Sequence, residues 1–324
     1  MKTGKELILA TKPFAKEDRA KSWGVLLSTL FLLMVSLAGT VVLPFFILKL
    51  AFSILSGLLM VRMFIIFHDY QHHAILHRSV PADIIMSLYG LYVLVPSSIW
   101  KRSHDYHHNH NSKLFSASIG SYPIATKDKF LSMTKGEQRM YLFIRHPLTI
   151  LMGYITMFIY GMCISSFISA PRKHYDSLIA LIAHGLITYF VITLFGWQTW
   201  LLTILIPIFI ACAMGAYLFY AQHNFPGTSF SDKGEWKYEM AALESSSYMV
   251  MNPFMQYMTG NIGYHHIHHL NSRIPFYRLP DAMKEIPELQ AAKTTSLHIR
   301  DIMACFRLKV WDPERKRMIG LSEI

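Results

Sequence analysis

The stretch Gly263-Tyr264-His265-His266-Ile267-His268-His269-Leu270 concentrates chemistry-bearing side chains late in the chain. His265, His268 and His269 stand at i, i+3 and i+4, a spacing that on a helix puts three imidazoles on one face. Neutral imidazole is the commonest metal ligand among side chains. The same spacing recurs at His104, His107 and His108, while His68 and His72 stand one helical turn apart and His223 stands alone. The chain has 17 histidines, and all but His146, His174, His184 and His298 fall in these four places. Those four read as amphipathic side chains at a wet boundary. Unpaired, the clustered rings would repel one another once protonated below the imidazole pKa of about 6.5. Two HxxHH patterns and one HxxxH, each beside an apolar segment, point instead to a metal site.

The candidate ligands are His68, His72, His104, His107, His108, His223, His265, His268 and His269. A zinc ion takes about four protein ligands in a structural site and about three in a catalytic one. This set exceeds the need of one tetrahedral ion. It suits two ions with open positions, and imidazole serves iron, copper and zinc alike. Two irons with exchangeable positions would bind and reduce O₂. The Glu-x-x-His motif of soluble di-iron bundles is absent, so such a centre here is histidine-rich and of another kind. Asp69, Asp105, Asn109 and Asn111 are polar neighbours able to orient ligand rings.

The elements that must position these residues are apolar. The chain is 52% hydrophobic, with a mean hydropathy of +0.30, which indicates a multi-pass membrane protein. A basic stretch, 1–22, precedes an apolar run over 23–67, long enough for two spanning helices turning at about 44–49, around Pro44 and Lys49. Segment 68–147 carries the first two histidine stretches; within it 84–98, short and bounded by Pro81 and Pro96, reads as interfacial. Apolar segments follow at 148–170, 178–195 and 199–220, then a polar region over 221–324. If all the histidine stretches serve one site, they lie on one side of the membrane. An odd number of crossings between His108 and His223 would separate them. Segment 148–170 is therefore expected to be interfacial or re-entrant, because Arg172 and Lys173 follow it, and 178–220 to form the second spanning hairpin.

The expected fold is an all-α integral membrane protein. It has four spanning helices in two hairpins, two interfacial or re-entrant segments, and a cytoplasmic helical cap carrying the histidines. The formal charge of +11 follows this topology. The positive-inside rule puts both termini and the site in the cytoplasm, with a bacterial inner membrane as the expected location. No cleavable signal peptide is evident. Cys163, Cys212 and Cys305 are too far apart for a ligand motif or disulfide framework and read as buried or inert thiols.

At the level of motifs the chain resembles the membrane fatty acid desaturases. Their three histidine boxes are matched by His68-x3-His72-His73, His104-x2-His107-His108 and His265-x2-His268-His269. Trp100-x2-Ser103-His104, Gln222-His223-x-Phe225 and the tail Leu270-Asn271-Ser272-Arg273-Ile274-Pro275 are closer to the acyl-lipid omega-6 and omega-3 branch. The resemblance spans roughly residues 60–285. It implies a non-haem di-iron centre whose ligands are the nine histidines named above, O₂ as co-substrate, and a cis double bond placed in a membrane-lipid-linked acyl chain. The chain departs from the branch at Asp69-Tyr70-Gln71, where Glu-Cys-Gly is more usual. The extra histidines His73, His77, His110 and His266 leave the ligand set open: His73 sits off the shared face of a regular helix, and His266 is placed as a second-shell donor.

No Gly-x-Gly-x-x-Gly and no cytochrome b5 domain is evident in the sequence, so electrons are expected from a separate carrier. A basic cytoplasmic face suits an acidic ferredoxin or cytochrome b5, and equally anionic lipid headgroups. Arg315-Lys316-Arg317 reads as a solvated tail or membrane-surface contact. The basic residues follow topology rather than one face of a soluble domain, which excludes nucleic acid as a partner. A hydroxylase or ketolase acting on acyl chains or carotenoids could use the same metal site. A non-enzymatic metal transporter or storage protein would place ligands inside spanning helices, with carboxylates. The spanning segments here hold almost no acidic residues.

Overall fold

The computed structural model describes residues 2–114, 122–231, 234 and 236–324. Part of the polar stretch after the second histidine segment (115–121) and residues 232, 233 and 235 of the C-terminal region lie outside the described residues. Among the described residues four helices are long and apolar enough to cross a membrane: Arg19–Val42, Phe46–Gln71, Tyr175–Phe195 and Trp197–Ala221. The first begins four residues before the apolar run, because the Asp18 side chain accepts the Lys21 N–H at 3.0 Å and caps it there. Pro44, which lacks an N–H, sits in the break between Val42 and Phe46. The turn is thus shorter than expected, and Lys49 falls inside the second helix.

Phe46–Gln71 is the central helix: 67% of its apolar window is buried, against 6% for Tyr175–Phe195. Between helices in lipid, close approach and hydrogen bonds hold the contact, since apolar burial gains little. Gly39 lies against the Phe52 ring. Ser36 Oγ donates to the Phe52 carbonyl at 2.8 Å, and Ser53 Oγ to the Leu202 carbonyl at 2.7 Å. Gly57 faces the Trp197–Ala221 helix so closely that a Cβ there would meet Ile210 Cβ at 2.8 Å. Arg62, nearly buried in the same helix, donates to Thr29 Oγ1 at 3.2 Å and to the Tyr257 carbonyl. That cation fastens the first hairpin to the cap.

The segment expected to be interfacial over 84–98 is the joint of two helices, Val80–Tyr92 and Ser97–His110, which meet at 91°. The segment 148–170 is also composite: a short helix, Pro147–Leu151, then Tyr154–Ser169, whose first part is wound in wide π-type turns. The polar C-terminal region is not wholly helical. Tyr248–Val250 pairs in parallel with Thr294–Ser296, and Val310–Asp312 pairs antiparallel with Arg317–Ile319. Arg315 and Lys316 form the turn of that second ribbon, and Arg317 reaches Glu323 at 2.5 Å. This stretch, expected as a solvated tail or membrane-surface contact, is the exposed turn of a folded hairpin. The three cysteines are buried and free.

Candidate metal centre

The central helix ends in the site. His68 lies in its last turn, and His72 is its C-terminal cap, with its N–H on the His68 carbonyl at 3.1 Å. Positive φ at His73 (57°), Leu76 (51°) and Arg78 (60°) then turns the chain sharply, which carries His73 out of the helix. The Ser97–His110 helix supplies His104, His107 and His108. Its N-terminus is tied to the third spanning helix: the Ser98 N–H meets Asp176 Oδ2 at 3.0 Å, and Ser98 Oγ meets His174 Nδ1 at 2.8 Å. His174, read from sequence as a boundary residue, is thus buried and structural. His223 follows the fourth spanning helix, and His265–Leu270 is a six-residue helix carrying the last three.

The nine imidazoles gather into two groups. One holds His68, His72, His104, His108 and His268; the other holds His107, His223, His265 and His269. Within each group the prospective ligand atoms all lie within 4.8 Å of one another. Each HxxHH stretch is divided between them. On a helix, i+4 lies about 40° from i and i+3 about 60° to the other side. His104 and His108 therefore face one group and His107 the other, while His265 and His269 face the second group and His268 the first.

Separations between Nε2 atoms are 2.9 Å for His68–His104, 3.2 Å for His104–His108 and 3.0 Å for His108–His268. In the second group they are 3.2 Å for His107–His269, 3.1 Å for His265–His269 and 2.9 Å for His223–His265. Two ligands at right angles on bonds of about 2.1 Å would stand about 3.0 Å apart, so these edges fit a shared ion. The His72 ring stands 4.6–4.9 Å from His108, His68, His104 and His268, and its Nε2 is buried without a hydrogen-bond partner. A buried polar atom of this kind calls for a missing partner, a place that a bound cation would fill.

Burial, and then the nearby His223, pushes His265 well below the usual imidazole range. Burial lowers His268 and His269 in the same way, with His68 and His108 respectively adding repulsion. Burial holds His223 at about 4. At neutral pH these rings are uncharged and able to donate lone pairs.

Neighbouring groups set the ring orientations. Asp69 is buried, with Oδ1 3.0 Å from His68 Nδ1 and Oδ2 accepting the Phe276 N–H at 2.7 Å. A carboxylate only accepts, so His68 carries its proton on Nδ1 and turns a bare Nε2 into the site. His223 Nδ1 donates likewise to the Ser245 carbonyl at 2.9 Å. Trp100 stacks on His104 at 4.7 Å and 15°.

Of the other polar candidates, Asp105 pairs with Lys101 at 3.1 Å on the surface, and Asn109 bonds its own helix. Asn111 ties Ala241 and Ser246 together. His73 packs on His77, and His110 on Tyr106, both away from the groups. His266 turns its Nε2 to the Leu289 carbonyl at 3.1 Å, which makes it a strut of the cap.

Sequence reading overlooked Arg145. It is fully buried, donating to Asn224 Oδ1 at 2.7 Å and to the Pro123 carbonyl at 2.9 Å. Asn224 donates onward to the Cys305 carbonyl at 2.7 Å. The turn carrying His223 is thereby clamped. Asn224, inside the Gln222-His223-x-Phe225 motif, was the available signal.

An apolar cleft opens onto both groups, since His68 and His265 line it with Phe64, Ile65, Gly215 and Leu218. Comparison with known proteins agrees with this geometry. The family model described as Fatty acid desaturase matches residues 44–300. A fatty acid desaturase of Bacillus subtilis (strain 168) is 30% identical over 86% of this chain and 79% of its own length. The sn-1 oleoyl-lipid 12-desaturase of Anabaena variabilis is 22% identical over 84% of this chain and 78% of its own. The Delta(12)-fatty-acid desaturase of Arabidopsis thaliana is 22% identical over 71% and 64%. With its histidine groups, apolar cleft and spanning helices, the chain belongs to the fatty acid desaturase family.

Proposed function

We propose that this fatty acid desaturase uses O₂ to place a cis double bond in a lipid-linked acyl chain, at a di-iron centre held by all nine grouped histidines. One iron is assigned to His68, His72, His104, His108 and His268, the other to His107, His223, His265 and His269. The observation that carries the reading is the apolar cleft lined by one histidine of each group. An acyl chain lying there would pass both histidine groups at once. Bound iron supplies the oxidising power to take hydrogen from an unactivated CH₂, which no side chain possesses.

The chain's own residues do the rest. Phe64, Leu218 and Phe219 exclude water and hold one C–C bond in place. Asp69 and Ser245 fix which ring nitrogen faces the site. An acyl-lipid substrate is supported by the name of the relative from Anabaena, an oleoyl-lipid desaturase.

A four-span topology follows if the 91° pair Val80–His110 is re-entrant. That pair leaves from the end of the central helix and returns to His68 through His104, so it begins and ends on one side. Both termini, the cap and the site then share the basic, cytoplasmic side, and a bacterial inner membrane is the setting. Electrons come from a separate acidic ferredoxin or cytochrome b5, for which the net charge of +11 is favourable.

The test is expression in a host lacking polyunsaturated lipids, followed by mass spectrometry of derivatised fatty acids and iron analysis of the purified protein. New double bonds and two irons per chain are expected. A hydroxylated product, or a stoichiometric metal other than iron with no O₂-dependent change in lipids, overturns the reading.

A further inference from the structure

The cleft at the histidines does not end among them. A second apolar space adjoins it, lined by Tyr89, Val93, Val95, Phe158 and Cys212. Phe64, Ala211 and Gly215 line both spaces, so a chain passing from one to the other would cross a throat at these three residues. The far space offers nothing to a charged or polar carrier. The Tyr89 hydroxyl is already committed to the Met60 carbonyl at 2.6 Å, and Cys212 is a buried thiol. A third cleft touches the second histidine group, lined by His107 and His223 together with Asn111, Lys113 and Asn224. Phe219 borders both that cleft and the first. Of the three, only the far space is bordered by no histidine and no charged side chain.

We infer that Gly215 is a specificity-determining residue: its missing side chain keeps the throat open and sets how much acyl chain fits beyond the reacting bond, methyl end foremost. The inference rests on the desaturase reading of the same site. Gly215 stands seven residues before Gln222, about 10 Å along the helix from the metal end. A Cβ there would lie 3.6 Å from Phe158 Cζ, an ordinary contact, so alanine fits. A longer side chain would fill the throat between Phe158 and Phe64. Phe64 is held edge-on against Trp100 at 5.0 Å and Phe219 at 6.3 Å, with Trp100 itself stacked on His104. It cannot retreat without disturbing the packing on a ligand ring.

The experiment compares the wild type with Gly215→Leu, Phe158→Ala and the double variant, expressed as full chains in membranes supplied with acyl chains of stepped length. Products are located by mass spectrometry, and iron is measured on each purified protein. Gly215→Leu is expected to lower conversion of the longest accepted chain relative to the shortest by about ten-fold or more, the worth of one unaccommodated methylene in an apolar pocket. Phe158→Ala alone is expected to shift the ratio towards longer chains, and added to Gly215→Leu it restores conversion of the long chain. Unchanged length ratios in Gly215→Leu with wild-type iron overturn the inference, as does an equal loss at every length. Should Gly215→Leu lose its iron, Phe158→Ala decides the matter, because an unchanged ratio there is equally fatal. A wild type that desaturates no chain would refute the desaturase reading instead.

Discussion

Asp69→Asn is the sharpest probe of how the centre is held. The carboxylate lies between two donors, His68 Nδ1 at 3.0 Å and the Phe276 N–H at 2.7 Å. An amide of the same shape offers one acceptor and one donor. The backbone N–H cannot change its role, so the amide oxygen stays with Phe276 and the NH₂ turns to His68. The ring must then accept at Nδ1 and carry its proton on Nε2, where the proposed iron would need a lone pair. Loss of such a partner to a ligating histidine typically costs about 10–100-fold in metal affinity, or about 1.4–2.7 kcal/mol. That range agrees with about 1.5–3 kcal/mol for a single hydrogen bond to a charged group. Chelator competition on the purified protein measures the affinity, and the thermal midpoint of the metal-free protein separates a ring effect from a folding defect. Iron affinity within two-fold of wild type, in a folded Asp69→Asn protein, would refute the orientation argument.

Three further outcomes are expected. Alanine at any one of His104, His108, His265 or His269 should abolish desaturation while leaving the protein in the membrane, whereas His73→Ala and His110→Ala should keep both irons; activity retained in two of the first four would sink the ligand assignment. Arg145→Met strands Asn224 Oδ1 and the Pro123 carbonyl, at about 1–3 kcal/mol each, and should loosen the iron assigned to the His223 group before the other; equal loss of both irons, read by titration with a chelator, would contradict the clamp. Burial holds His223 and His266 at about 4 in the folded chain, below the roughly 6.5 of an exposed imidazole. Between these values the unfolded chain binds more protons, so the metal-free protein should lose stability as pH falls from about 6.5 towards 4; a thermal midpoint that is flat across that window, or no shallower in His266→Phe, would be the contrary result.

Much of the site was legible because its chemistry is local in sequence. HxxHH on a helix places three rings within reach of one another whatever the rest of the chain does, and the apolar runs marked the helices that carry them. What was hidden depends on contacts far apart in the chain. Asp69 was one of four polar candidates until its second oxygen met Phe276, 207 residues away. Asp105 and Asn109, equally placed by spacing, point to the surface. Arg145 looked like one more basic residue of a polar stretch, yet it is buried against Asn224. His266 has ligand spacing, and only its bond to Leu289 removes it from the ligand set. The short ribbons of the cap have no signature at three residues each, where pairing rather than pattern makes the strand.

The division of each HxxHH stretch between two groups carries a structural consequence that spacing alone conceals. A three-histidine face suggests one ion per stretch, but i+3 and i+4 lie on opposite sides of i. His107 leaves the company of His104 and His108 for His269, 3.2 Å away, and His268 leaves His265 for His108, 3.0 Å away. Each of the two helices therefore contributes to both groups, and neither group can form unless both helices are seated. The central helix completes the first group through His68 and His72, and the turn held by Arg145 completes the second through His223. An isolated HxxHH stretch could do none of this, which is why the motif acquires its meaning only from the helices that bring its copies together.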